Sequence, residues 1–203
     1  MRNLLWAGAA GYLLGSIPFG YLLYRARGGG DIRRTGSGNI GATNVLRAAG
    51  WLPAAATLVL DAGKGYAAVW LAACGSANAP DAVAAAILAV MAGHCFPLFL
   101  RFRGGKGVAT GFGAFLGIAP AAALTASIVF ALVAAVTGYV SLASILAAAA
   151  FPVLLLGMGS APPVLLAAFS AAGLIVLRHR ENIRRLRQGT ELRLFGKKKP
   201  PDG

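Results

Sequence analysis

Three short segments hold the residues whose types and spacing could do chemistry. FRGGKGVAT, residues 102–110, places Lys106 among Gly104, Gly105 and Gly107. A lysine there can clamp a phosphate, and backbone amides at the start of a following helix would add to the clamp. It is not a P-loop, because Gly107 stands where a hydroxyl residue must follow the lysine. A lysine snorkelling from a basic loop fits the same residues.

The second segment, GSGNIGATN (36–44), matches G-x-G-x-x-G, and Asp61 falls 20 residues after Gly41, where a dinucleotide fold places its ribose acid. That reading fails. A Rossmann turn needs a buried strand before it, and here three glycines and two arginines precede it between apolar runs. The physics of anion binding survives: Gly36 and Gly38 let amides converge, and Ser37, Asn39, Thr43 and Asn44 add neutral polar groups. A flexible polar turn is the competing reading. In the third segment, RHRENIRRLRQGTE (178–191), His179 and Asn182 are three apart and would share one face of a continuous helix. A neutral histidine suits the removal of a hydroxyl proton, although an interfacial histidine is commoner.

The elements that must position these segments are apolar. Of 203 residues 58% are hydrophobic and 12% charged, yet the net charge is +13. A soluble domain would carry about 25% charged residues, and six Asp and Glu leave little for a carboxylate dyad or an acidic metal cage. Residues 4–24 contain no charge, enough for one spanning helix of about 20 residues. Its length, and an arginine cluster that follows rather than precedes it, distinguish it from a cleaved signal peptide, so it is expected to be retained. Further low-charge runs lie at 51–75, 82–100, 121–137, 139–156 and 160–177.

All cations except Arg2 and Lys64 fall in three blocks, 25–47, 101–106 and 178–199. The positive-inside rule puts these on the cytoplasmic side and the cation-free 76–81 connection outside. Parity then requires one more crossing, for which GFGAFLGIAP (111–120) is the candidate, as a half-helix or packed short span. The expected fold is an all-α, polytopic membrane helical bundle of seven transmembrane or partial membrane helices, with five as the alternative. The N-terminus lies outside and the C-terminus in the cytoplasm. Residues 1–191 form one membrane domain, and 192–203 a basic, disordered tail able to touch anionic lipid.

Cys74 and Cys95 fall at opposite ends of adjacent runs, too far apart in depth to bridge. Asp61 and Lys64 lie at i and i+3 inside the second run, where a mutual ion pair or a role toward substrate would justify them. His94 lies near Pro97, which should bend or end that helix, and either lines the site or makes a structural hydrogen bond.

Taken in order, GSIPFGY, GSGNIGATN, DAGKG, HCFPLFLRFRGGKGVAT and RHRENIRRLRQGTE resemble the PlsY family of bacterial acyl-phosphate-dependent glycerol-3-phosphate acyltransferases, over the chain to about Glu191. The resemblance implies transfer of a fatty acyl group from acyl phosphate to the sn-1 hydroxyl of glycerol 3-phosphate. The products would be lysophosphatidic acid and phosphate, at the first committed step of phospholipid synthesis. It also implies catalytic roles for Ser37, Arg47, Lys106, His179 and Asn182, supported by the glycine loops. The H-x-x-x-x-D motif of other glycerolipid acyltransferases is absent after both His94 and His179.

No cofactor or metal is implied. The partners implied are the two substrates, membrane lipid and a soluble enzyme that forms acyl phosphate. The implied location is the bacterial inner membrane, with the site at the cytoplasmic face. A transporter for an organic phosphate or other anion is the alternative; it predicts an inverted repeat with interrupted helices, and no repeat is evident. Nucleic-acid binding would explain the charge but not the apolar runs.

Overall fold

Proline and glycine punctuation decides where the helices of this chain stop. The computed structural model describes residues 2–194, and among them there are ten α-helices, two 3-10 turns and no strand. The helices are α1 (Arg2–Ser16), α2 (Phe19–Ala26), α3 (Ala42–Ala49), α4 (Trp51–Gly75), α5 (Pro80–Cys95), α6 (Val108–Leu116), α7 (Pro120–Thr137), α8 (Val140–Gly157), α9 (Pro162–Arg178) and α10 (Arg180–Arg187). Three helices are long and apolar enough to cross a membrane alone. They are α5 continued through its 3-10 turn to Leu100, α7 and α8, with mean hydropathies of 2.1, 2.0 and 2.2. The α9–α10 pair, bent by 55°, makes a fourth if counted as one broken span.

The uncharged run at 4–24 is not one helix. It breaks between Ser16 and Phe19 because Pro18 has no N–H to donate and its ring opposes a continuous turn. The break leaves the Ile17 carbonyl open to an outside donor, and Lys64 Nζ of α4 donates to it at 2.8 Å. Elsewhere the apolar runs and the helices agree closely. The 51–75 run is α4, Pro97 follows the end of α5, and the short 111–120 segment overlaps the nine-residue helix α6. Cys74 is exposed, Cys95 is buried and both are free thiols.

Helix α6 can sit deep against α4 because the contact is made through glycine. A Cβ on Gly65 would run into the Thr110 carbonyl, and one on Gly113 into the Ala62 carbonyl. Small residues at such crossings let backbones approach within van der Waals contact where lipid supplies no hydrophobic drive. A buried polar cluster tightens the same place. Lys64 Nζ lies 2.8 Å from Asp61 Oδ1, His94 Nδ1 lies 3.6 Å from that oxygen, and Thr110 Oγ1 is 3.1 Å from His94 Nδ1. Asp61 and Lys64 are therefore an ion pair within the bundle.

Asp61→Ala should destabilise the protein by about 3–5 kcal/mol, since it strands the buried Lys64 ammonium. Thermal unfolding in detergent would read this as a lowered midpoint. The double variant Asp61→Ala/Lys64→Leu should recover much of the loss. A single variant as stable as the parent would refute the pairing.

Candidate active site

All three motif segments meet at one end of the bundle, around a single cavity of about 540 Å³. Its mouth is lined by Ser37, Asn39, Thr43, Arg47, Lys106 and His179, with Asn182 and Glu191 beside them. The starts of two helices face the same mouth: Gly41 and Ala42 open α3, Gly107 and Val108 open α6. Free amides at a helix start carry partial positive charge, so two such starts with Arg47 and Lys106 form an anion cradle.

The 36–44 loop is built around Asn44, which is 1% exposed. Its Oδ1 accepts from the Ser37 amide at 2.9 Å, and its Nδ2 donates to the carbonyls of Asn39 at 2.8 Å and Thr35 at 2.9 Å. Gly36 and Gly38 adopt φ of +60° and +72°, conformations that a side chain would strain. Neither glycine lines the cavity, and the Asn44 amide is already engaged by backbone. Gly36 and Gly38 thus shape the loop, whereas Asn44, its amide bonded to the loop backbone, is also part of the cavity wall. Ser37 and Thr43 remain on the wall, and their hydroxyls have no partner among the described residues.

Two glycines beside Lys106 are likewise engaged by backbone. The Gly104 and Gly105 amides donate to the carbonyls of Cys95 at 3.2 Å and His94 at 3.0 Å, and so are closed to an anion. Their carbonyls accept from Arg178, whose Nη2 and Nε lie at 3.0 Å from Gly104 O and Gly105 O respectively. The loop is thereby clamped between the end of α5 and the end of α9, and Lys106 is projected into the cavity. Gly107 alone of the three glycines lines the wall.

His179 and Asn182 do not lie on one continuous helix. The backbone leaves helical geometry at His179, with φ −95° and ψ 6°, and α10 departs at 55° to α9. The cause is local: Ile175 O accepts the His179 amide at 3.1 Å and His179 Nδ1 at 2.8 Å, and a side chain inserted into the ladder kinks a helix. The kink still brings both side chains to the cavity, where they are buried. A carbonyl only accepts, so Nδ1 carries the proton and Nε2 keeps its lone pair.

Asn182 Oδ1 accepts a hydrogen bond from Lys106 Nζ, and Asn182 Nδ2 donates to Glu191 Oε1 at 2.5 Å. Arg185 Nε donates to Glu191 Oε2 at 2.7 Å. The order of residues alone points to no role for Glu191 or Arg185. The scarcity of acids is the available signal, because two of only six acidic residues, Glu181 and Glu191, sit inside the third motif. Past Glu191 the chain is still held. Arg47 Nη2 reaches the Leu192 and Arg193 carbonyls at 3.4 and 3.5 Å, and the Leu194 amide donates to Gly138 O at 2.8 Å. The first residues assigned to the basic tail are thus docked, and residues 195–203 lie outside the described residues.

Burial pushes Lys106 down to about 8, with Glu191 opposing and Arg185, Arg178 and Arg47 adding to the fall. Burial, and then the Lys106 charge, take His179 down to about 4, against the bond to Ile175 O. Burial works to raise Glu191, yet the bonds from Asn182 and Arg185 hold it below the usual carboxylate range. At neutral pH the mouth therefore presents a charged lysine and a neutral imidazole.

A pH prediction follows from the sign of these shifts. Charge on Lys106 is complete well below pH 8 and is lost above it, so kcat/KM should fall as pH rises through about 8. Lys106→Arg should remove that limb from whatever activity it retains, since guanidinium stays charged. His179, neutral above about pH 4, should add no limb near 6.5. A flat profile up to pH 10 in the parent protein would contradict the Lys106 environment.

Comparison with known proteins decides what this cradle belongs to. The family model described as glycerol-3-phosphate acyltransferase matches residues 5–189. The chain belongs to this family. The relative from Geobacter sulfurreducens, a glycerol-3-phosphate acyltransferase, is 48% identical over 193 residues, covering 95% of this chain and 98% of that one. The Nitrobacter winogradskyi relative of the same name is 51% identical over 195 residues, covering 96% and 98%.

Two crystal structures of PlsY, an integral membrane glycerol 3-phosphate acyltransferase, superpose closely. The glycerol 3-phosphate form gives a TM-score of 0.90 at 39% identity, covering 95% of this chain and 96% of that one. The lysophosphatidic acid form gives 0.88 at 39%, covering 95% of each. This chain is accordingly an acyltransferase of the integral membrane type, and the anion cradle is its candidate active site.

Proposed function

We propose that this acyltransferase moves a fatty acyl group from acyl phosphate to the sn-1 hydroxyl of glycerol 3-phosphate, releasing lysophosphatidic acid and phosphate. The observation that carries the reading is the cavity's two-part lining. A basic, amide-rich mouth continues into walls formed by Phe112, Phe115, Phe130, Phe151 and the small residues of α7, α8 and α9. That matches a substrate pair with phosphate at one end and hydrocarbon at the other.

Lys106, Arg47 and the two helix starts hold the phosphates, while Ser37 and Thr43 supply hydroxyls to them. Asn182 fixes the Lys106 ammonium, and Glu191 fixes Asn182 in turn. His179 Nε2 accepts the hydrogen bond of the attacking hydroxyl and aims its oxygen at the acyl carbonyl carbon. The carbon–oxygen bond to that carbonyl forms and the bond to the phosphate oxygen breaks. The departing phosphate oxygen takes the hydroxyl proton, being far more basic than an imidazole pushed down to about 4. An acyl phosphate is a mixed anhydride with a good leaving group, so no acyl-enzyme is required. Positioning and electrostatic stabilisation carry the rate.

The same reading gives seven membrane segments, α1 and α4 to α9, with the N-terminus outside and the basic loops and C-terminus in the cytoplasm. That face of a bacterial inner membrane is where a soluble enzyme could deliver acyl phosphate. Purified protein supplied with both substrates should yield the 1-acyl product, identified by NMR of the glycerol carbons. A 2-acyl product would overturn the assignment of the hydroxyl.

A further inference from the structure

Below the basic mouth the cavity continues between α7, α8 and α9, where its lining residues are small: Ser127, Ser144, Ala148 and Ala172 among them. The α7–α8 turn is tied to the docked C-terminal segment through Gly138, so Val140 marks the mouth end of α8. Phe151 is eleven residues further along that helix, on the order of 16 Å away at the rise of an α-helix. Ala168 on α9 is equally far from His179, and Phe115 occupies the last turn of α6, away from Lys106. The deep tier of the lining is therefore Phe115, Phe151, Ala168 and Ala123.

Two paired rings stand in this tier. The Phe115 and Phe151 centroids are 4.5 Å apart with the planes tilted by 50°. Both rings are buried, as are Ala123 and Ala168 beside them. One turn beyond Phe151, Leu155 belongs to the packed core and does not line the cavity. Chain carbons entering from the mouth gain burial against the small-residue walls until they meet the rings. Going further requires a close-packed pair in the bundle core to move.

We propose that the Phe115–Phe151 pair is the gauge that sets acyl-chain length in this acyltransferase. The inference rests on the reading of the cavity as the site of an acylated glycerol phosphate. Each methylene buried along the groove should raise affinity about fourfold, and methylenes beyond the rings should add nothing. Phe151→Ala opens space toward Leu155 and moves the limit to longer chains. Ala148→Leu, one turn nearer the mouth and only partly buried, fills the groove and moves it to shorter ones.

The test is binding of saturated lysophosphatidic acids of graded length to purified protein, read by thermal stabilisation in one detergent, so that micelle partitioning is common to every variant. Parent affinity should climb with length and then level off. The break should lie at longer chains in Phe151→Ala and at shorter ones in Ala148→Leu, with roughly tenfold changes for the lengths in between. An unmoved break in both variants, or a parent affinity that climbs without levelling, would overturn the gauge and mean that the chain leaves sideways into lipid. Should Phe151→Ala fail to fold, Ala148→Leu decides alone. Product binding does not depend on the donor, so a parent protein inactive with acyl phosphate would sink the donor assignment while the break still reported on the rings.

Discussion

Lys106→Met should lower kcat/KM for acyl transfer by roughly a hundred- to a thousandfold, the loss expected when a preorganised group is removed from developing negative charge. Methionine keeps the apolar stem and discards only the charge. The effect should be local. Arg101 and Arg103, in the same basic loop but exposed, should tolerate alanine with less than about a twofold change, because solvated cations are screened by salt. Three observations single out Lys106: it lines the cavity, its ammonium is held by Asn182, and the Arg178 clamp on Gly104 and Gly105 fixes its loop. Equal losses in Lys106→Met and Arg103→Ala would mean that the loop acts only through its overall charge. Membrane insertion and monodispersity of each variant need checking alongside the rates.

His179→Ala should be comparably severe, at roughly a hundredfold or more, the loss expected when an attacking group is misplaced. A more discriminating comparison is with His179→Gln. If Nε2 orients the hydroxyl by accepting its hydrogen bond, an amide oxygen near the same point should recover about tenfold over alanine. If the imidazole must itself carry the proton, glutamine and alanine should be equally poor. Burial and the neighbouring Lys106 charge disfavour imidazolium, so the first outcome is expected.

Much of this arrangement is legible in the order of residues, and the exceptions have physical causes. Hydropathy locates α4, α7, α8 and α9 within about two residues because long uncharged runs leave few alternatives. It passes over the break at Pro18, since proline interrupts hydrogen bonding without changing polarity. The motif types identify the segments that converge. What they cannot supply is the use already made of each donor. Gly104 and Gly105 look like free amides until the α5 carbonyls are found opposite them, and Asn44 looks like a ligand until its amide is seen bonded to its own loop. Glu191 escapes for the converse reason: its value lies in holding Asn182 and Arg185, a relation that only the fold creates.

Direct transfer from acyl phosphate to glycerol 3-phosphate in this cradle leaves a stoichiometric signature. Its most direct test supplies purified protein with acyl phosphate carrying separate labels on acyl and phosphate, and follows both labels with and without glycerol 3-phosphate. One inorganic phosphate should be released per lysophosphatidic acid formed. Without glycerol 3-phosphate neither acylated protein nor an initial burst of phosphate should appear. Acyl label trapped on the protein, phosphate released without lysophosphatidic acid, or transfer that proceeds only from an acyl thioester would contradict it.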